Sequence, residues 1–177
     1  MLDLILISVN TCIMYMLANG FTYHLGTVEH CGRPLKDVGH DVLPDMSHIV
    51  RVRDIPIVLF VIPILFIKQK LSVLYELWDR FIIIIAIKAI CIFFTFLPPS
   101  NPDCLQKKYL NHCFHNAVSG HAAFVLLLGL IYIKYTNFSH FIIYTFIALY
   151  CIFILMTRAH YTKDVLEAVI FVYLLYT

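Results

Sequence analysis

The stretch Phe138–Met156 reads "FSHFIIYTFIALYCIFILM". Across its 19 residues there is no Asp, Glu, Lys or Arg. A hydrocarbon core about 30 Å thick takes roughly 20 apolar residues of helix to cross. A helix also satisfies its own backbone hydrogen bonds there. The run therefore reads as a transmembrane helix. Directly after it comes "TRAHYTKDV", Thr157–Val165. Histidine, arginine and aspartate are costly beside lipid, so a cluster of them at a span end points to a site.

The rest of the chain has the same character. Of its 177 residues 61% are hydrophobic and 14% charged. A soluble domain averages about 45–50% apolar and about 25% charged. The chain is long enough for a single domain but too poor in polar residues to coat one. The expected fold is all-α, a polytopic membrane protein with six transmembrane helices forming one domain over residues 1–177. The expected spans are about Leu4–Phe21, Ile55–Ile67, Phe81–Leu97, Ala122–Tyr135, Phe138–Met156 and Val165–Thr177. The second is short and carries Pro56 and Pro63. The first lacks a charged leader and a clear cleavage site, so it reads as a span rather than a signal peptide. The formal charge of +2, with no basic block, argues against a nucleic-acid partner.

Six spans bring the loops before spans two, four and six to one membrane face. Eight of the nine histidines fall on or beside that face: His24, His30, His40, His48, His112, His115, His121 and His160. Only His140 falls opposite. The same loops carry eight Lys/Arg against four on the other side, which by the positive-inside rule would make this face cytoplasmic. Cys12, Cys91 and Cys151 lie in spans and read as small packing residues. Cys104 and Cys113 lie on the histidine-rich face and could pair if it is luminal.

Two stretches carry the chemistry. The first, "NHCFHNAVSGHAAF" (Asn111–Phe124), precedes span four; the second is Thr157–Val165. Ser119 is a good N-cap before an apolar helix. His121 then stands in the first turn, where free amides favour an anion. His160 and Asp164 are four residues apart and share a helix face. An aspartate behind an imidazole fixes its tautomer and stabilises its cation. Two histidines around one anion suit phosphoryl transfer, with one attacking phosphorus and the other serving the leaving oxygen. Arg158 is placed to hold phosphate oxygens. Lys88 sits in the middle of span three, where a charge is usually functional or paired, and Glu167 is the partner the sequence suggests. A metal reading uses His112, Cys113, His115 and His121, but that spacing fits no closed zinc pattern. No cofactor is expected.

These stretches resemble the sphingomyelin synthase branch of the type 2 phosphatidic acid phosphatase superfamily. That branch carries Cys-Gly-Asp-x-x-x-Ser-Gly-His, matched here by Cys113, Ser119, Gly120 and His121. Its His-Tyr-Thr-x-Asp-Val is matched by His160, Tyr161, Thr162, Asp164 and Val165. "LPD" at Leu43–Asp45 and "TFLPP" at Thr95–Pro99 are similar to two upstream motifs. The resemblance runs from about residue 35 to the C-terminus.

It implies a six-helix membrane enzyme with a luminal or exoplasmic site, in the Golgi, the endoplasmic reticulum or the plasma membrane. The implied partners are a phospholipid donor and a lipid alcohol acceptor such as ceramide or diacylglycerol. Self-association is left open. By carry-over His160 is the nucleophile, Asp164 orients it and His121 is the general acid and then base. Ser119, Gly120, Arg158, His115, Tyr161, Asp45 and Lys88 line the substrate.

Two departures stand out. Phe114 and His115 replace the Gly-Asp of the motif, and Lys88 stands where an arginine is usual. The competing function is a lipid phosphate phosphatase or phospholipase C-like hydrolase using the same residues. The phosphatase branch, however, has a Lys-x6-Arg-Pro motif and an arginine six before its second histidine. "GRP" at Gly32–Pro34 lacks that lysine, and Arg158 is only two before His160. A third reading is a membrane scaffold with a decayed site, against which the intact His121, His160 and Asp164 stand.

Overall fold

The computed structural model describes residues 2–28, 34–95, 97–100 and 117–176. Every regular element among the described residues is helical. They are α1 (Leu2–Val28), α2 (Val38–Val42), a 3-10 segment (Ser47–Arg53), α3 (Asp54–Val61), a 3-10 turn (Ile62–Phe66), α4 (Lys70–Phe94), α5 (Gly120–Tyr135), α6 (His140–Met156) and α7 (Thr162–Tyr176).

α5 is the axis. It packs against α3, α4, α6 and α7. Its side chains are buried nearly all round, among them Ala122, Val125, Leu128 and Ile131, as suits a helix without a polar face. Gly129 lets α6 come close: a β-carbon there would stand 2.5 Å from Ile147 Cδ1 and 3.1 Å from Ile143 Cγ2. Small residues at a helix crossing are how apolar helices gain contact when lipid competes equally for their side chains. α1 lies outermost and packs on α4. There Phe21 stacks on Phe93 at 5.1 Å and Trp78 donates to Ser8 Oγ at 2.9 Å.

The helix positions follow the expected spans, with three differences of physical origin. α4 begins at Lys70, well before Phe81. Its charged first half looks like a loop by hydropathy, but Glu76, Lys134 and Arg80 neutralise one another there at 2.8–3.4 Å. The second run splits into α3 and a 3-10 turn that opens with Pro63 in its first turn. A proline lacks the amide that would continue an α-helix. Third, among the described residues one helix segment, Leu4–Thr22, is long and apolar enough to cross a membrane unaided; α5 and α6 are apolar but shorter.

Large apolar side chains are exposed on the outward faces of α1, α3, α4, α6 and α7, including Met16, Leu59, Phe94, Phe141 and Leu174. A soluble monomer rarely leaves such continuous apolar surface in water. These faces suit lipid.

At one end of the bundle three connecting segments meet. The Met46 amide donates to the Met156 carbonyl at 2.8 Å, and the Ser119 amide to the Asp164 carbonyl at 2.9 Å. Ser100 Oγ donates to the Arg158 carbonyl at 3.0 Å. The segments before α3, α5 and α7 are thus laced together. His140 begins α6 at the other end.

Candidate active site

α5 starts where the sequence signals it. Ser119 is extended (φ −68°, ψ 107°), and its Oγ accepts from the Ala122 amide at 3.3 Å. This cap places Gly120 and His121 in the first turn. α6 ends at Met156, and the chain turns back through Arg158, whose φ is 54°. That left-handed conformation is costly for a side chain with a β-carbon. It is held by Ser100 on the Arg158 carbonyl and by the guanidinium: Nη2 donates to the Leu43 carbonyl at 3.1 Å, and Nε stands 3.6 Å from Asp45 Oδ2. The turn delivers His160 to the head of α7.

His160 Nδ1 and Asp164 Oδ2 are 3.2 Å apart. The two side chains are 3% and 0% exposed, so the pair is sealed from water. The same Oδ2 accepts from the Tyr161 amide at 3.1 Å, which fixes the carboxylate as well as the ring. His121 faces His160, with ring centroids 6.2 Å apart and planes inclined by 56°. The nucleophile, orienting acid and second histidine expected from sequence thus lie in one cluster.

Burial dominates the electrostatics of the pair. It pushes His160 well below its usual pKa, helped by the positive charges of Lys88, His121 and Arg53. It also pushes Asp164 up to about 6, although Lys163, the Tyr161 amide and Lys88 pull the other way. Burial wins because the nearest cation, Lys163, is itself half exposed and well hydrated. His121 is lowered to about 4 by burial and by Arg53, with Asp54 opposing.

The other expected site residues fall into three groups. Gly120 and Lys88 are neighbours: a β-carbon on Gly120 would be 4.0 Å from Lys88 Nζ. Lys88 is 3% exposed and acts electrostatically on Asp164. Glu167, the partner suggested by sequence, pairs instead with Lys163 at 3.0 Å, because the two share a helix face four residues apart. Lys163 also lies 3.4 Å from Asp164 Oδ1.

Arg158, Asp45 and Tyr161 form the second group. Asp45 Oδ1 accepts from the Ser47 amide at 2.8 Å, and its other oxygen faces Arg158. Arg158 Nη1 is buried with no hydrogen-bond partner among the described residues. Tyr161 is buried, and its hydroxyl lies within 3.0–3.3 Å of the Leu35 amide and the Pro98 and Pro99 carbonyls. It fastens three loops rather than facing outward. The third group lies outside the described residues: His115, and with it His112 and Cys113 of the metal reading and the partner cysteine Cys104.

Several residues at the site carried no sequence signal. Asp54, at the start of α3, lies 3.1 Å from His121 Nε2, with Arg53 Nε 3.6 Å from the same carboxylate oxygen. Asp37 accepts from the Thr162 amide at 2.8 Å, Thr162 Oγ1 at 2.7 Å and the His40 amide at 3.1 Å. His40 Nε2 sits 3.0 Å from the His160 carbonyl. The one available hint was position, since all lie in the loop that span parity brings to this face.

The PAP2 superfamily C-terminal family model matches residues 112–177, a little over a third of the chain. That range holds both histidines and Asp164. No curated protein matches the chain significantly. The family match supports membership of the type 2 phosphatidic acid phosphatase superfamily, and with it a lipid phosphatase or phosphotransferase type of enzyme in a membrane.

Proposed function

We propose that this chain, matched over its C-terminal part by the superfamily model, is a lipid headgroup phosphotransferase. It moves a phospho-headgroup, phosphocholine or similar, from a glycerophospholipid to ceramide or diacylglycerol. The observation that carries the reading is the sealed His160–Asp164 pair facing His121. The motif resemblance to sphingomyelin synthases supports the transferase class.

His160 presents the ring nitrogen opposite Nδ1, which Asp164 holds. Its lone pair forms an N–P bond as the P–O bond to diacylglycerol breaks. The leaving oxygen takes the electron pair of that bond and a proton from His121. The acceptor hydroxyl then gives its proton to His121 and forms the new O–P bond. The N–P electrons return to His160. Burial serves the first step, since it keeps the attacking imidazole neutral. Ionised Asp164 stabilises the phosphoimidazolium that follows. In this reading Ser119 and Gly120 open the amides of α5 to the anion, and Lys88 and Arg158 supply positive charge, with His115 and Asp45 at the rim.

The proposed setting is an endomembrane or plasma membrane crossed by six helices, with the site facing the lumen or exterior. The exposed apolar faces of five helices support a lipid surround. Short α5 and α7 would sit where the bundle thins the bilayer or tilts little.

Hydrolysis is the second reading. His121 keeps 29% of its side chain exposed, so water can reach the residue that handles protons. One assay separates the two. Purified protein is given phosphatidylcholine with and without labelled ceramide. Labelled phospho-sphingolipid is the expected product. Free headgroup phosphate formed equally well without acceptor would replace transfer by hydrolysis.

A further inference from the structure

The two histidines are built alike but placed differently. Each has one carboxylate on one ring nitrogen: Asp164 on His160 Nδ1 at 3.2 Å, and Asp54 on His121 Nε2 at 3.1 Å. A carboxylate accepts, so the ring N–H donates in both pairs. The first pair comes from one helix turn. The second is assembled across 67 residues of sequence, from the head of α3 and the head of α5. No acidic residue lies between Asp103 and Asp164, so His121 has no carboxylate available from its own segment among neighbours in sequence. Burial separates the pairs further: 3% and 0% for His160 and Asp164, against 29% and 63% for His121 and Asp54.

We infer that Asp54 is a positioning residue for His121, forming a second His–Asp pair that steers proton transfer through Nδ1. This rests on the proposed phosphotransfer. With Nε2–H held by Asp54, the ring nitrogen that gives and takes the proton is Nδ1. The open side lets this pair exchange protons with solvent between half-reactions, which the sealed His160–Asp164 pair cannot do. Among the described residues, the charged and titratable groups facing His121 are Asp54 at the start of α3, Arg53 at the end of the 3-10 segment before it, Lys88 from α4, and His160 with Asp164 beyond it at the head of α7. Among the described residues Asp54 is the one anion in direct contact, so it opposes the burial that disfavours the imidazolium form the leaving oxygen needs.

The test uses purified full-length protein in detergent, labelled with ¹⁵N-histidine. The His121 signals are assigned with His121→Ala. Titration of Asp54→Asn is expected to place His121 at least about half a unit below wild type, because an opposing charge has been removed. In the same variant kcat for headgroup transfer is expected to fall about tenfold with KM within about twofold. Asp54→Glu is expected to recover part of both. An unchanged His121 titration in Asp54→Asn overturns the pairing, and a shifted titration with unchanged kcat overturns its role. If wild type transfers no lipid, the proposed function falls by itself, and the titration alone still decides whether Asp54 and His121 are a pair.

Discussion

Asp164 is tightly constrained at the site. It receives His160 and the Tyr161 amide on one oxygen and faces Lys163 with the other, and it is fully buried. Burial raises it to about 6 while pushing His160 well below its usual value. Only the ionised carboxylate can hold the His160 N–H and stabilise the phosphorylated ring. The expected kcat/KM for the acceptor lipid, which reports the half-reaction in which neutral His121 is the base, therefore rises through about pH 6 and levels off above it. Asp164→Asn should lower the plateau by about 10²–10⁴-fold, as loss of an orienting carboxylate does elsewhere, and should remove the limb near 6. A limb that persists in the variant would assign it to another group. Stability runs the other way. A carboxyl raised in the folded state favours folding while protonated, so its contribution fades as pH climbs from about 4 to about 6. The site gives up stability to be active at neutral pH. At this scale the sequence was informative for residues in short motifs: Ser119, His121, His160 and Asp164 read as a constellation because their spacing has a helical meaning. Asp54, Asp37 and His40 did not, since their contacts join distant segments and leave no local pattern.

α7 owes its position to a capping group borrowed from another segment. Asp37, just before α2, accepts the Thr162 amide and hydroxyl, and so caps α7 from 125 residues away. Gly39 is needed beside it, because a β-carbon there would collide with Thr162 Oγ1. Burial tends to raise Asp37, but the hydrogen bonds from Thr162 and His40 outweigh it and hold the carboxyl below its usual range. A depressed carboxyl gives stability that is present at neutral pH and is lost in acid. Asp37→Ala should cost about 1–3 kcal/mol, read as detergent melting at pH 7, and should lower transfer by loosening the head of α7. Melting equal to wild type would mean the latch is not a stabilising contact. The α5–α6 crossing makes a second expectation. Gly129→Ala and Gly20→Ala make the same chemical change in two helices. Each gains about 1 kcal/mol of helix propensity, but Gly20 has nothing within 4 Å, whereas Gly129 meets Ile143 and Ile147. Gly129→Ala should therefore melt below Gly20→Ala, by an overpacking cost of about 1–3 kcal/mol. Equal melting would place α6 farther from α5. Helix positions were legible from hydropathy. The start of α4 was not, because its charges are neutralised by a lysine from α5 that sequence distance hides.

Across the whole molecule, the parity of six runs brought His121 and His160, 39 residues apart, to one end. The segments before α3, α5 and α7 do meet there. The opposite end holds Glu76, Lys134 and Tyr135 in mutual contact. Single-cysteine labelling in sealed vesicles should therefore mark positions 47 and 163 from one side and 137 from the other. All three reacting from one side would contradict a bundle that spans the membrane. The central claim is that His160 carries the headgroup phosphate between two lipids. The most direct measurement incubates purified protein with phosphatidylcholine and no acceptor, quenches in alkaline denaturant and maps the peptides by mass spectrometry. The account predicts a phosphocholine adduct on His160 that disappears when ceramide is added and is absent from His160→Ala, which transfers nothing. Full turnover by His160→Ala, with no adduct on the wild-type chain, would contradict it.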